Sequence, residues 1–175
     1  AHSGGGFLAN LGVVGGYERG VATTTSITGV GSVGTKHQLW YAGARLRHLF
    51  GPVTLALQAT GGNHQFKFVE REGTAPNEFF PDVSYTFMES AADFELRLGN
   101  AFIGTLFGVI LPFSLGEISD DDWYPEASAW GTHLDVYAGW AFTNWFELVG
   151  DIEARSYGFD FNPLPADLPE NRAAG

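Results

Sequence analysis

The sequence predicts an all-β fold, an up-and-down antiparallel sheet rolled into a barrel, and three observations carry that expectation. Apolar and polar residues alternate along seven runs, roughly 7 to 18, 36 to 49, 53 to 68, 83 to 98, 101 to 115, 130 to 142 and 145 to 161. That is the period-two repeat of strands whose side chains point alternately to two faces. The composition agrees: 24 glycines, 15% aromatic and only 17% charged residues in a chain of 175 describe neither a disordered segment nor a charged helical bundle. Finally, short and long connections alternate, as they must when every second turn of a meander emerges at the same end.

The first run, 7 to 18, carries Gly12, the first of several strand glycines (Gly43, Gly104, Gly108 and Gly139 follow) that suit the tight curvature of a small barrel. After it, residues 19 to 35 read as a long glycine- and threonine-rich loop. In the second run Gln38, Trp40, Ala42, Ala44 and Leu46 share one face, while Leu39, Tyr41, Gly43, Arg45 and Arg47 share the other. The third sets Val53, Leu55, Leu57 and Ala59 against Thr54, Ala56, Gln58 and Thr60. The fourth sets Met88, Ala92, Phe94, Leu96 and Leu98 against Glu89, Asp93, Glu95 and Arg97. Both faces of the fifth run are apolar or glycine. In the last two, Leu134, Val136, Trp140, Leu148 and Ile152 oppose Asp135, Glu147, Asp151, Glu153 and Arg155. Phe50-Gly51-Pro52, Gly99-Asn100 and Thr143-Asn144 are the tight turns, with residues whose backbones favour them.

Length fits one domain, residues 1–175. The net charge of −11 and only nine Lys and Arg argue against a nucleic-acid partner. With no cysteine there is no disulfide framework and no thiolate chemistry. The opening AHSGGGF lacks a basic segment followed by an apolar run, so no signal peptide is expected in it.

A charged strand face in a soluble sheet faces water. Here, however, the charges are mid-strand arginines with acids, and lysine occurs only at Lys36 and Lys67. Trp40, Trp130, Trp140 and Phe142 sit near run ends on the apolar face, where a membrane barrel places its aromatic belts. Runs of this length meet the 9 to 11 or so residues that cross a bilayer when tilted. The expectation is therefore inverted: apolar side chains face lipid and charges face inward. There Arg45, Arg47, Arg97 and Arg155 would pair with Glu89, Asp93, Glu95, Asp135, Glu147, Asp151 and Glu153, because a buried charge is tolerable only when paired. Acids exceed arginines seven to four in that set, so Tyr41, Tyr137, Tyr157 or water should take some of them.

These residues resemble the small eight-stranded outer-membrane barrels of bacteria, the class of the OmpA transmembrane domain, OmpX and OmpW. The resemblance lies in the layout: tight turns at one end, long loops at the other, apolar-out and charged-in strands, and the turn FTNWFEL. It implies a transmembrane barrel in the bacterial outer membrane, in contact with membrane lipid and lipopolysaccharide. Its role would be structural, tethering or interactive through long outer loops, with no enzymatic activity, no cofactor and no large pore. Barrels of that class have even strand counts. An eighth strand is therefore expected, either missing at the C-terminal side of these residues or supplied by a protein partner at the open edge; otherwise the odd sheet closes on itself. The competing class is a soluble lipocalin-like barrel holding a small hydrophobic ligand.

Asp120, Asp121 and Asp122 with their acidic neighbours are a metal candidate, but the spacing is not that of a calcium loop, and a solvated loop is favoured. His133 and Asp135 share a face and Ser156 lies on the neighbouring run, the makings of a hydrolase triad, yet the serine has the opposite, lipid-facing parity. The stretch GVGSVGTK, residues 29 to 36, lacks the order and the following helix of a phosphate loop and reads as flexible loop.

Overall fold

The computed structural model describes residues 10–20, 23–27, 31–69, 82–119, 124–143 and 145–162. They form one antiparallel sheet: β1 (Leu11–Arg19), β2 (Thr23–Ile27), β3 (Gly31–Phe50), β4 (Val53–Val69), β5 (Val83–Leu98), β6 (Ala101–Gly116), β7 (Ser128–Ala141) and β8 (Glu147–Asp160). The spatial order is β1-β3-β4-β5-β6-β7-β8, and β2 continues the lane of β1 by pairing with β3 beyond it. Seven lanes therefore run up and down in chain order. The sheet is not closed: the edge strands β1 and β8 do not pair with one another.

Two sequence expectations are corrected. Residues 19–35 contain a second strand segment rather than a simple loop, because Thr23 to Ile27 pair in register with Gly31 to Thr35. The Thr143-Asn144 turn is wider than two residues, since β7 ends at Ala141 and β8 begins at Glu147. Phe142 and Thr143 both donate backbone hydrogen bonds to the Phe146 carbonyl, at 3.0 and 3.3 Å.

The other two turns are tight. Gly51 and Gly99 have φ of 64° and 65°, the mirror-image geometry that matches strand twist and that L side chains resist. A Cβ at Gly99 would meet nothing within 4 Å, so only the backbone penalty is at stake. Gly99→Ala is expected to lose about 1–2 kcal/mol, read as a shift of the urea unfolding midpoint at unchanged slope.

Sheet curvature is visible in contacts that leap lanes. The Tyr157 hydroxyl on β8 lies 3.0 Å from His64 Nδ1 on β4, and the Tyr85 and Tyr157 rings stack at 5.2 Å. Arg155 on β8 lies 3.7 Å from Glu18 on β1. Such reaches require the sheet to bend into a trough with one concave and one convex face. At the loop end of the concave face Leu39, Phe87 and Ile110 are fully enclosed, and Tyr85, Leu115 and Ile118 form a second cluster. Ile118 comes from a 3₁₀ turn, Glu117–Ser119, that folds over this end.

The convex face is apolar and exposed. Leu11, Leu46, Leu57, Ala92, Phe107, Leu134 and Ala154 lie side by side across all seven lanes in one continuous row of register partners. Leu57 is 65% exposed and Ile152 is 80% exposed, and a contiguous apolar surface on this scale marks an interaction with something apolar. The few hydroxyls there need partners, and Thr105 Oγ1 donates to the Asp135 carbonyl at 3.1 Å.

Candidate functional site

Alternation along each strand puts the ionisable residues on the concave face, and register then decides which of them meet. Arg45 on β3 pairs with Asp93 on β5, two lanes away. The other carboxylate oxygen of Asp93 accepts from the Tyr137 hydroxyl at 2.8 Å. Gly104 makes this possible: a Cβ there would overlap the Tyr137 ring, so its absence lets the ring lie across β6 towards β5.

A second group lies nearer the loops. His133 on β7 donates from Nδ1 to Glu89 on β5 at 2.7 Å, and Gly108 between them leaves space for the carboxylate. Both partners are buried, at 9% and 5% side-chain exposure, which strengthens their electrostatic interaction. His133 Nε2 stands 3.5 Å from Glu153 without hydrogen-bond geometry, and Arg155 holds Glu153 at 2.7 Å. Through Arg155 the chain of charges reaches Glu18 on the far edge.

The third group sits at the short-turn end. Arg97 contacts Glu147 at 2.9 Å and Glu95 at 3.4 Å, with its guanidinium 4.8 Å from the centre of the Phe102 ring. These groups are partly exposed, and a cleft of about 500 Å³ lined by Arg45, Arg47, Glu95, Arg97 and Glu147 opens here. Among the described residues Arg47 and Asp151 enter no ion pair, and Asp135 Oδ1 is buried without a hydrogen-bond partner.

The histidines were missed as partners in the sequence. His133 takes Glu89, and His64 takes Tyr157, whose hydroxyl was expected to satisfy an acid. His37 Nε2 meets His64 Nε2 at 2.5 Å. The signal available in advance was parity: His133 is two residues from Asp135 and shares its face, and His64 has the parity of Gln58 and Thr60. Ser156 lies on the convex face opposite Thr132, and His133 is bonded to Glu89 and not to Asp135. Those three residues therefore do not assemble into a nucleophilic triad. Asp120, Asp121 and Asp122 lie outside the described residues, among which no group of three or more acidic or histidine side chains could hold a metal ion.

Chemically, the concave face is a set of largely paired charges surrounding a cavity of about 290 Å³ lined by Glu89, Asp93, His133, Asp135, Tyr137 and Glu153 among others. It is a trough with ion pairs along much of its length, apolar clusters at its loop end and an apolar back. Comparison of the chain with models of known families, with curated proteins and with solved structures finds no match. The class is thus set by fold and site alone: an all-β, up-and-down antiparallel sheet, apolar on its convex face and ion-paired on its concave face.

Proposed function

We propose that this chain is the membrane-spanning part of a bacterial outer-membrane β-barrel of the OmpA, OmpX and OmpW kind, with a structural, tethering or surface-interaction role carried by its long loops. The observation behind this reading is the spacing of aromatic residues on the convex face. Trp40 and Phe50 lie ten positions apart on β3, and Trp130 and Trp140 lie ten apart on β7, all four at least 48% exposed. Ten residues rise about 34 Å along a strand, or about 25 Å along the normal at a tilt near 45°, the height of the apolar band between two aromatic girdles. A soluble barrel with an apolar ligand would need the opposite arrangement, with the apolar face turned inward.

The open edge belongs to the same proposal. Because seven lanes alternate in direction, β1 and β8 run parallel, and a single strand antiparallel to both completes the barrel. Glu18, Glu147, Asp151 and Glu153 flank that gap on the concave side with Arg155 as the cation between them. The closing strand should therefore present apolar residues outward and basic or small ones inward.

Phase partition tests the membrane reading. The folded protein should enter the detergent phase and liposomes, and protease should then trim the long-loop end while the strands stay protected. A monodisperse folded protein in detergent-free buffer would overturn it.

A further inference from the structure

Seven of the chain's nine cationic side chains lie on described residues, and Arg45, Arg47, Arg97 and Arg155 face the trough. The remaining three, Arg19, Lys36 and Lys67, all lie on the convex face at the loop end, and they include both lysines of the chain. Lys36 and Lys67 are direct register partners on β3 and β4. Like charges placed opposite one another repel across about 5 Å, so this pairing costs stability unless an anion sits between them. Among the described residues no carboxylate pairs with either lysine or with Arg19.

The surroundings are those of an anion site. One residue pair towards the membrane band, Arg19, Gln38, Gln65 and Ser84 form a single row of register partners, adding a guanidinium and two amides as donors. The next row towards the band holds Tyr17 and Trp40, the aromatic level. A cleft of about 330 Å³ opens between Arg19, Lys36, Gln38, Gln65 and Lys67. It arises because β1 leaves β3 at Arg19 and β2 joins only from Thr35, leaving Lys36 opposite the break.

We propose that Arg19, Lys36 and Lys67 form a docking site for the phosphate of an anionic membrane-lipid headgroup, seated just above the aromatic row. This inference rests on the membrane-spanning reading above, because only then does the convex face at this level meet headgroups. A phosphate there would accept from both ammonium groups and from the Arg19 fork, cancelling the Lys36 and Lys67 repulsion. Its acyl chains would continue down over Trp40 and Ala42.

The test reconstitutes the protein in phosphatidylcholine vesicles doped with phosphatidic acid. The relative association of spin-labelled phosphatidic acid and spin-labelled phosphatidylcholine with the protein is then measured. With three cations near an anionic surface, a preference for phosphatidic acid on the order of tenfold or more is expected. The Lys36→Gln/Lys67→Gln double variant, altered only at exposed positions, should lose most of it, and Lys36→Arg/Lys67→Arg should keep it. An inserted wild-type protein with no preference, or a preference unchanged in the glutamine variant, overturns the site while leaving the membrane reading intact. A preference abolished by inorganic phosphate but not by chloride at equal ionic strength assigns the site to free phosphate and overturns the lipid proposal. Failure of the protein to insert at all overturns both.

Discussion

Leu134→Arg is expected to destabilise the folded protein in a bilayer by about 2–4 kcal/mol, the cost of a cation at the midplane of a barrel's lipid face. Leu134 is 47% exposed on the convex face of β7, four residues from Trp130 and six from Trp140, and it stands in the leucine-rich row that crosses every lane. The same change at Leu148 should cost only about 0–1 kcal/mol, because the penalty falls off towards the interface. The register partner of Leu148 is Trp140, one residue pair from the end of β7, at the short-turn end of the sheet. Equilibrium urea unfolding from phospholipid vesicles would measure both variants. If the convex face were bathed in water, both would fall within about 0.5 kcal/mol of wild type, and the proposed orientation of the sheet would be wrong.

Asp93→Ala should cost about 3–5 kcal/mol, the penalty for breaking a buried ion pair from one side. The Asp93 side chain is 3% exposed and serves two partners, Arg45 and the Tyr137 hydroxyl, so its removal strands a guanidinium and a phenol on an enclosed face. Arg45 is itself 34% exposed, and water reaching it would pull the loss to the low end of that range. Arg45→Met with Asp93→Leu should recover part of the loss, since a pair replaced on both sides leaves no stranded charge. The measurement is a double-mutant cycle by equilibrium unfolding. A coupling near zero would mean that the trough charges are individually solvated and that the paired interior is illusory.

The charged face illustrates how far period-two alternation reaches. Side-chain parity alone set Arg45, Asp93, Asp135 and Glu153 apart from Leu46, Phe94, Leu134 and Ile152, because in an extended chain the choice of face is a local property. Pairing is not local. Arg45 meets Asp93 two lanes away and Tyr157 meets His64 across the trough, contacts that depend on register and on bending. Three residues at the same parity, Arg47, Asp135 and Asp151, found no ion pair among the described residues, although nothing in their own segments distinguishes them from those that did. The histidines carried a parity signal of their own, but an imidazole satisfied by a carboxylate and one left in solvent look alike in a sequence.

The β1 to β3 connection shows a different limit. Its glycines argued for loop, whereas the run Thr23 to Ile27 is rich in β-branched residues, and pairing with the extended start of β3 made it a strand. Propensity there was evenly balanced, so the neighbouring backbone decided.

By itself the sequence determined the all-β class, the seven lanes, the tight Gly51 and Gly99 turns and the apolar and charged faces, since each follows from residues within a few positions of one another. Only the tertiary structure decided the register, the curl, the partners of Asp93, Glu89 and His133, the lysines that face each other at the loop end, and, among the described residues, the lack of pairing between β1 and β8. Those depend on which backbones lie 5 Å or so apart, and hydrogen bonding between residues distant in the chain fixes that, not the alternation within any one strand.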